Sequence, residues 1–252
     1  MKKLKAKRKI RPFALFKRHP FTSAIILVGG SSTRFGGNTP KQFLMLEGKP
    51  VVVHSLLAFE NSKYIHEIIL VCRKGDEAYY QQLGNDYAIS KLTKVVTGGN
   101  TRQESALNGL NATAKKSRYI LIHDGARPLV TDATIRNVTF AAHQYRAACA
   151  AIPAKDTIKI ANEKGFIERT ENRDFVHLAA TPQGFYKTLY EACAYAALKE
   201  GVAVTDDASI LEHYYYPVKL IDCESENIKI TTPSDLVMAE AILKKRKPTP
   251  HV

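Results

Sequence analysis

Cysteine is scarce and never clustered. Cys72, Cys149, Cys193 and Cys223 stand far apart, and no CxxC or His-paired spacing occurs, which argues against a zinc site. Cys72 and Cys149 fall in strand-like apolar runs and read as core thiols, which suits a reducing, cytoplasmic setting. Long hydrophobic runs are also missing: none approaches the roughly 18 apolar residues that cross a bilayer. The start of the chain has no signal-peptide h-region, because Lys17 and Arg18 interrupt Phe13-Ala14-Leu15-Phe16. Internal repeats and low-complexity stretches are absent.

Acidic residues are missing from one place in particular. The first 20 residues hold nine Lys and Arg and no Asp or Glu, and the whole chain carries 37 Lys+Arg against 24 Asp+Glu, a formal charge of +13. Outside that arm 28 basic residues face the same 24 acids, so the body is only +4. The arm, residues 1–21, reads as a solvated, disordered tail, since blocks of like charge repel. A nucleic-acid-binding role through the arm is a distant alternative: the excess charge is confined there, and no aromatic-basic RNA signature accompanies it. Lys244-Lys245-Arg246-Lys247 reads as a charged helix end, where cations suit the dipole.

What remains is a chain of 252 residues, 45% hydrophobic, which can bury a full core. Short apolar runs at 24–28, 67–72, 93–97, 119–123, 148–153 and 218–223 predict strands. Helical patterns near 50–60, 75–84, 101–115, 132–146, 186–199, 205–214 and 233–246 lie between them. Continuous apolar strands separated by helices predict a Rossmann-like three-layer α/β/α domain over 22–247 with a mainly parallel sheet. Residues 155–176 break the alternation. Thr157-Ile158-Lys159-Ile160 and Phe166-Ile167-Glu168-Arg169 alternate around Asn162-Glu163-Lys164-Gly165, a hairpin signature, predicted to project as an arm.

The first strand runs directly into "LVGGSSTRFGGNTPKQF", Leu27 to Phe43. In open α/β sheets ligands bind beyond the carboxyl ends of the strands. Gly29 and Gly30 there remove Cβ atoms and open the backbone amides to a ligand, while Arg34 and Lys41 add positive charge suited to phosphates. The spacing is neither G-x-G-x-x-G nor a P-loop. On its own the stretch indicates a phosphate ligand, with a tight turn bearing surface cations as the plainer reading. Asp124 ends another strand, where a carboxylate near phosphates could bind Mg²⁺ directly or through water.

The stretch resembles the G-G-x-x-x-R-[FM]-G…P-K-Q signature of sugar-phosphate nucleotidylyltransferases. Further blocks follow in order: "TGGNTRQES" (97–105), "IHDGARPLV" (122–130), "IPAKDTIK" (152–159), "ENRDF" (171–175), "TPQGF" (181–185), "TDDASILE" (205–212) and "NIKITTPSDL" (227–236). Together they resemble the 2-C-methyl-D-erythritol 4-phosphate cytidylyltransferase family over about residues 22 to 245.

The resemblance implies a cytidylyltransferase of the non-mevalonate isoprenoid pathway, joining CTP to an alditol phosphate with Mg²⁺ and releasing pyrophosphate. It implies catalytic roles for Arg34, Lys41 and Lys229 on the triphosphate, with Lys229 expected on a late strand-like segment. It assigns CTP binding to Val28, Gly29, Gly30, Gly99, Asn100 and Ser105. Members of the family often carry Asp where Asn100 stands, and the amide offers a different donor and acceptor pattern. Arg102 opens the following helix and helps hold that loop. The acceptor side falls to Asp124, Arg127, Thr157, Arg173, Thr181 and Thr205, and Asp124 is the candidate metal ligand. An Asp124–Arg127 pair that only fixes its loop is the plainer reading there. Thr157 and Arg173 sit on the hairpin, which in the family reaches across a two-fold homodimer. Asp206 and Asp207 open a helix, as caps or as hydroxyl contacts. A D-ribitol-5-phosphate cytidylyltransferase is the nearest alternative, because small changes in hydroxyl contacts redirect such a site.

Overall fold

The structure, a computed structural model, describes residues 19–30 and 44–246; Arg34, Lys41 and the arm up to residue 18 lie outside them. Five strands were predicted nearly at their observed bounds: β1 (Thr22–Leu27), β4 (Glu67–Cys72), β5 (Leu92–Thr97), β6 (Tyr119–Asp124) and β7 (Ala147–Pro153). The sixth, β11, is Lys219–Asp222. A two-residue ladder, β2 (Met45–Leu46) with β3 (Lys49–Pro50), escaped the sequence reading because so short a pair has no periodicity to detect.

The larger omission is β10 (His177–Tyr186), which lies inside the seven-stranded sheet, of order β11-β7-β10-β6-β1-β4-β5. It runs antiparallel to both β6 and β7, whereas the other four pairings are parallel. Its sequence hides it: Thr181-Pro182-Gln183-Gly184 looks like a turn. The register shift between Ala179 and Gln183 accommodates the proline at a bulge, the one interior place a strand tolerates it.

Alternate strand residues feed two cores. Ala24 and Ile26 face one side with α1 (Val51–Asn61), α2 (Glu77–Asp86) and α4 (Asp132–Tyr145). Ile25, Ile120 and Ile122 face the other with α3 (Arg102–Ala112), α5 (Lys187–Glu200) and α6 (Asp207–His213). The three-layer expectation holds. A smaller cluster of Leu46, Val51, Leu129, Ile230 and Ala239 seats α7 (Pro233–Arg246), which opens on a proline at its first position and closes on Lys244, Lys245 and Arg246. The hairpin of β8 (Lys159–Ala161) and β9 (Ile167–Thr170) forms its own two-stranded sheet, closed by Gly165 at φ +83°. Phe166 and Ile167 on it are largely exposed, as expected of a projecting arm.

Helix α3 opens within the 97–105 block, and its seating depends on Gly109. A Cβ there would lie 2.4 Å from Ile25 Cγ2 and 2.8 Å from Val71 Cγ2. Gly109→Ala is expected to be destabilising: overpacking costs about 1–3 kcal/mol, offset in part by the roughly 1 kcal/mol that alanine gains over glycine in a helix. A lowered urea midpoint checks this; an unchanged one would mean that α3 is not held against β1 and β4 as described.

Candidate active site

The site is assembled where β1, β5 and β6 end. Val28 N–H donates to Val71 O at 2.9 Å and Gly125 N–H to Leu27 O at 2.9 Å, so the loops after β1 and β6 leave the sheet side by side. The loop after β5 is fixed by the start of α3. Thr101 and Glu104 form a capping box, and Glu104 Oε2 also accepts from Asn100 N–H at 2.6 Å. Ser105 Oγ accepts from Gly99 N–H at 3.1 Å and donates to Thr101 O at 2.9 Å. Gly99 is required by this closeness, since a Cβ would stand 2.3 Å from Glu104 Cβ.

Val28, Gly29, Gly30, Gly99, Asn100 and Ser105 line one cleft of about 320 Å³, together with Leu27, Thr101, Arg102, Asp124, Ala126 and Lys229. All six positions assigned to the nucleotide are therefore brought together. No described atom lies within 4 Å of where a Cβ on Gly30 would point, so the glycine leaves the cleft open.

Lys229 comes from a loop between β11 and α7, not from a strand. Ties to the β6 end and to β10 hold that loop. Ile230 N–H donates to Ala126 O at 2.8 Å, Arg127 Nη1 to Asn227 O at 2.7 Å, and the buried Asn227 Nδ2 to Thr181 O at 2.9 Å. An irregular segment thus gains the fixity that a strand would have given it.

The electrostatic centre is Asp124. Its Oδ2 accepts from Lys229 Nζ at 2.6 Å and its Oδ1 from Arg102 Nη2 at 3.3 Å. Burial pushes the carboxyl up, but Arg102 and Lys229 beside it outweigh burial and hold it well below the ordinary carboxylate range. Arg127 is not its ion-pair partner: that guanidinium braces Asn227, and its Nε is buried with no partner among the described residues. The sequence reading gave Arg102 only a loop-holding role; it is also a cation of the cleft.

Thr181 stands behind Asp124, 4% exposed. Its Oγ1 accepts from Asp124 N–H at 3.1 Å and lies 3.0 Å from His123 Nδ1. His123 Nε2 lies 3.2 Å from Arg127 O, which can only accept, so Nε2 carries the proton and Nδ1 accepts from the threonine. His123 is fully buried in the core, and its neighbours fix one tautomer. Thr157, Arg173 and Thr205 are exposed and absent from the lining of this cleft. Arg173 Nη1 donates to Lys155 O at 3.1 Å at the base of the hairpin.

A mainly parallel α/β sheet with a glycine-lined, cation-bearing cleft at its strand ends has the architecture of enzymes that bind nucleotide phosphates. The comparisons narrow this class. The family model for 2-C-methyl-D-erythritol 4-phosphate cytidylyltransferase matches residues 22–245, and the chain belongs to that family. The Syntrophus aciditrophicus protein of that name is 39% identical over 229 residues, covering 90% of this chain and 98% of its own. The Clostridium botulinum Loch Maree protein of that name is 42% identical over 223 residues, covering 88% and 97%. Among solved structures, the 4-diphosphocytidyl-2C-methyl-D-erythritol synthase of Anaerococcus prevotii superposes with a TM-score of 0.80 at 33% identity, over 89% of this chain and 96% of that one. The Thermus thermophilus 2-C-methyl-D-erythritol 4-phosphate cytidylyltransferase gives 0.73 at 30%, over 89% and 99%.

Burial pushes the His123 imidazole from 6.5 down to about 4. It should therefore stay neutral, as the Nε2–H tautomer, down to about pH 5. The unfolded chain takes up this proton near pH 6.5 and the folded chain only near 4, so folding stability falls as pH drops through that window, by up to about 3 kcal/mol. Nitrogen-15 NMR of the imidazole checks the assignment; titration near 6.5, or an Nδ1–H signal, would contradict it.

Proposed function

We propose that this protein transfers the cytidylyl group of CTP to 2-C-methyl-D-erythritol 4-phosphate. An oxygen of the acceptor phosphate attacks the α-phosphorus, the bond to the β-phosphate oxygen breaks, and pyrophosphate leaves. The observation that carries this reading is the gathering of the six nucleotide-side positions with Asp124 and Lys229 in one cleft. A phosphate monoester is already a nucleophile, so the protein's part is placement and charge stabilisation. Lys229, with Arg34 and Lys41, meets the negative charge that builds on the α-phosphate. The cytosine lies against Val28, Gly29, Gly30, the loop at Gly99 and Asn100, and Ser105 at the start of α3.

Among the described residues Asp124 is the one carboxylate lining the cleft, which suits Mg²⁺: this ion is commonly bound through one or two carboxylates with water and substrate phosphates. When bound, Mg²⁺ would offset charge on the polyphosphate. We assign the acceptor side to Asp124, whose loop Arg127 and Thr181 hold, to Thr205, and to Thr157 and Arg173 from the hairpin of a second copy. The exposed hairpin and the apolar side chains at its base, Phe175 at 82% and Leu178 at 55% exposure, support a homodimer with exchanged arms. The described cysteines are free thiols, three of them buried, which fits work in a reducing cytoplasm, and no described helix is long and apolar enough to cross a membrane.

Pyrophosphate release from CTP with Mg²⁺ is the test, with methylerythritol phosphate and ribitol 5-phosphate as competing acceptors. Preference for the first is expected; preference for the second would move the protein to polyol-phosphate chemistry. A second experiment tests the arm. Lys229→Ala and Arg173→Ala should each be nearly inactive. Mixing them after dissociation should restore roughly a quarter of the wild-type sites, because random pairing yields heterodimers with one intact site. Failure to regain activity would place Arg173 outside the neighbouring site.

A further inference from the structure

We propose that Asp207, backed by Tyr190, is a positioning residue for the reaction: it divides the Arg102 guanidinium between two carboxylates and so keeps Asp124 and Lys229 in a fixed array facing the cleft. This inference rests on the nucleotide-site reading above. The doublet Asp206-Asp207 invites a capping role for both residues, but the structure separates them. Asp206 caps α6, its Oδ1 accepting from Ser209 N–H at 2.9 Å. Asp207 turns inward and is 1% exposed. Its Oδ2 accepts from Arg102 Nη1 at 2.6 Å and its Oδ1 from the hydroxyl of the fully buried Tyr190 at 2.7 Å.

A sealed carboxylate costs several kcal/mol unless it is paired, so capping a short helix does not explain its presence. Its geometry explains it better. The planar fork of Arg102 spans two acids, with the shorter contact on Asp207 and the longer, at 3.3 Å, on Asp124. Anchored from behind, the guanidinium touches Asp124 without claiming it. The line Tyr190–Asp207–Arg102–Asp124–Lys229 joins α5, α6, α3, β6 and the loop before α7. Its two acids and two bases balance. Neutralising Asp207 would leave one positive charge in excess and would let Arg102 collapse onto Asp124, in competition with Lys229.

This predicts a split that loss of structure would not produce. Asp207→Asn should lower kcat tenfold or more, the scale of a lost hydrogen bond to a charged group. Its KM for CTP should not rise, because the added positive charge favours a polyphosphate. In an Arg102→Met background the same change should cost less than twofold, since Asp207 acts only through Arg102. Wild-type kcat in folded Asp207→Asn, or an equal loss in both backgrounds, would overturn the proposal. Should Asp207→Asn fail to fold by circular dichroism, Tyr190→Phe carries the test: about a threefold loss in kcat at unchanged KM is expected, and no loss would overturn it. Wild-type protein that releases no pyrophosphate from CTP would defeat the nucleotide-site reading and this proposal with it. Active wild type with an equally active Asp207→Asn would defeat this proposal alone.

Discussion

The ion cluster around Asp124 is the constraint on which the site depends. One carboxylate at the end of a buried strand holds Lys229 from a late loop and Arg102 from the start of α3. Neither cation is held by local structure alone. Such a cluster is poor evidence for stability, because desolvation offsets much of the attraction. Its value lies in placement. Partly desolvated charges in a narrow cleft act on a substrate phosphate far more strongly than the same charges in water.

The fold exists, in this sense, to bring the partners of Asp124 to it. Parallel β1 and β6 end together, so the first loop and Asp124 share one edge. Gly109 lets α3 lie close enough to β1 and β4 for Arg102 to reach across. Antiparallel β10 supplies Thr181 behind Asp124, and Thr181 links its backbone to His123 and, through its carbonyl, to Asn227. The proline in that strand sits at the bulge that turns Thr181 toward β6.

Much of this was legible in the sequence, for physical reasons. Strands buried on both faces must be continuously apolar, and helices between them must be amphipathic, so the layers and most element bounds could be read directly. Gly29 and Gly30 were legible as an opening for a ligand because they follow the first strand directly; the other positions that line the cleft, Val28, Gly99, Asn100 and Ser105, came from the family resemblance. What escaped depends on distant partners. Nothing in the sequence sets Tyr190 apart, and its hydroxyl acquires meaning only when α5 brings it to Asp207. Asp207 was hidden by its neighbour, since both acids fit a helix start and only packing shows which one caps. Lys229 was expected on a late strand-like segment. Ile228 and Ile230 beside it instead pack near α7, and hydrogen bonds to Ala126 and Arg127 fix the segment as a loop.

The most direct test of this account is turnover of Asp124→Asn with saturating CTP and methylerythritol phosphate. The isosteric amide keeps the shape and removes the charge that gathers Arg102 and Lys229. A fall in kcat on the order of a hundredfold, with the circular dichroism spectrum unchanged, is predicted. Turnover near that of the wild type would show that the cluster is incidental and that catalysis is organised elsewhere.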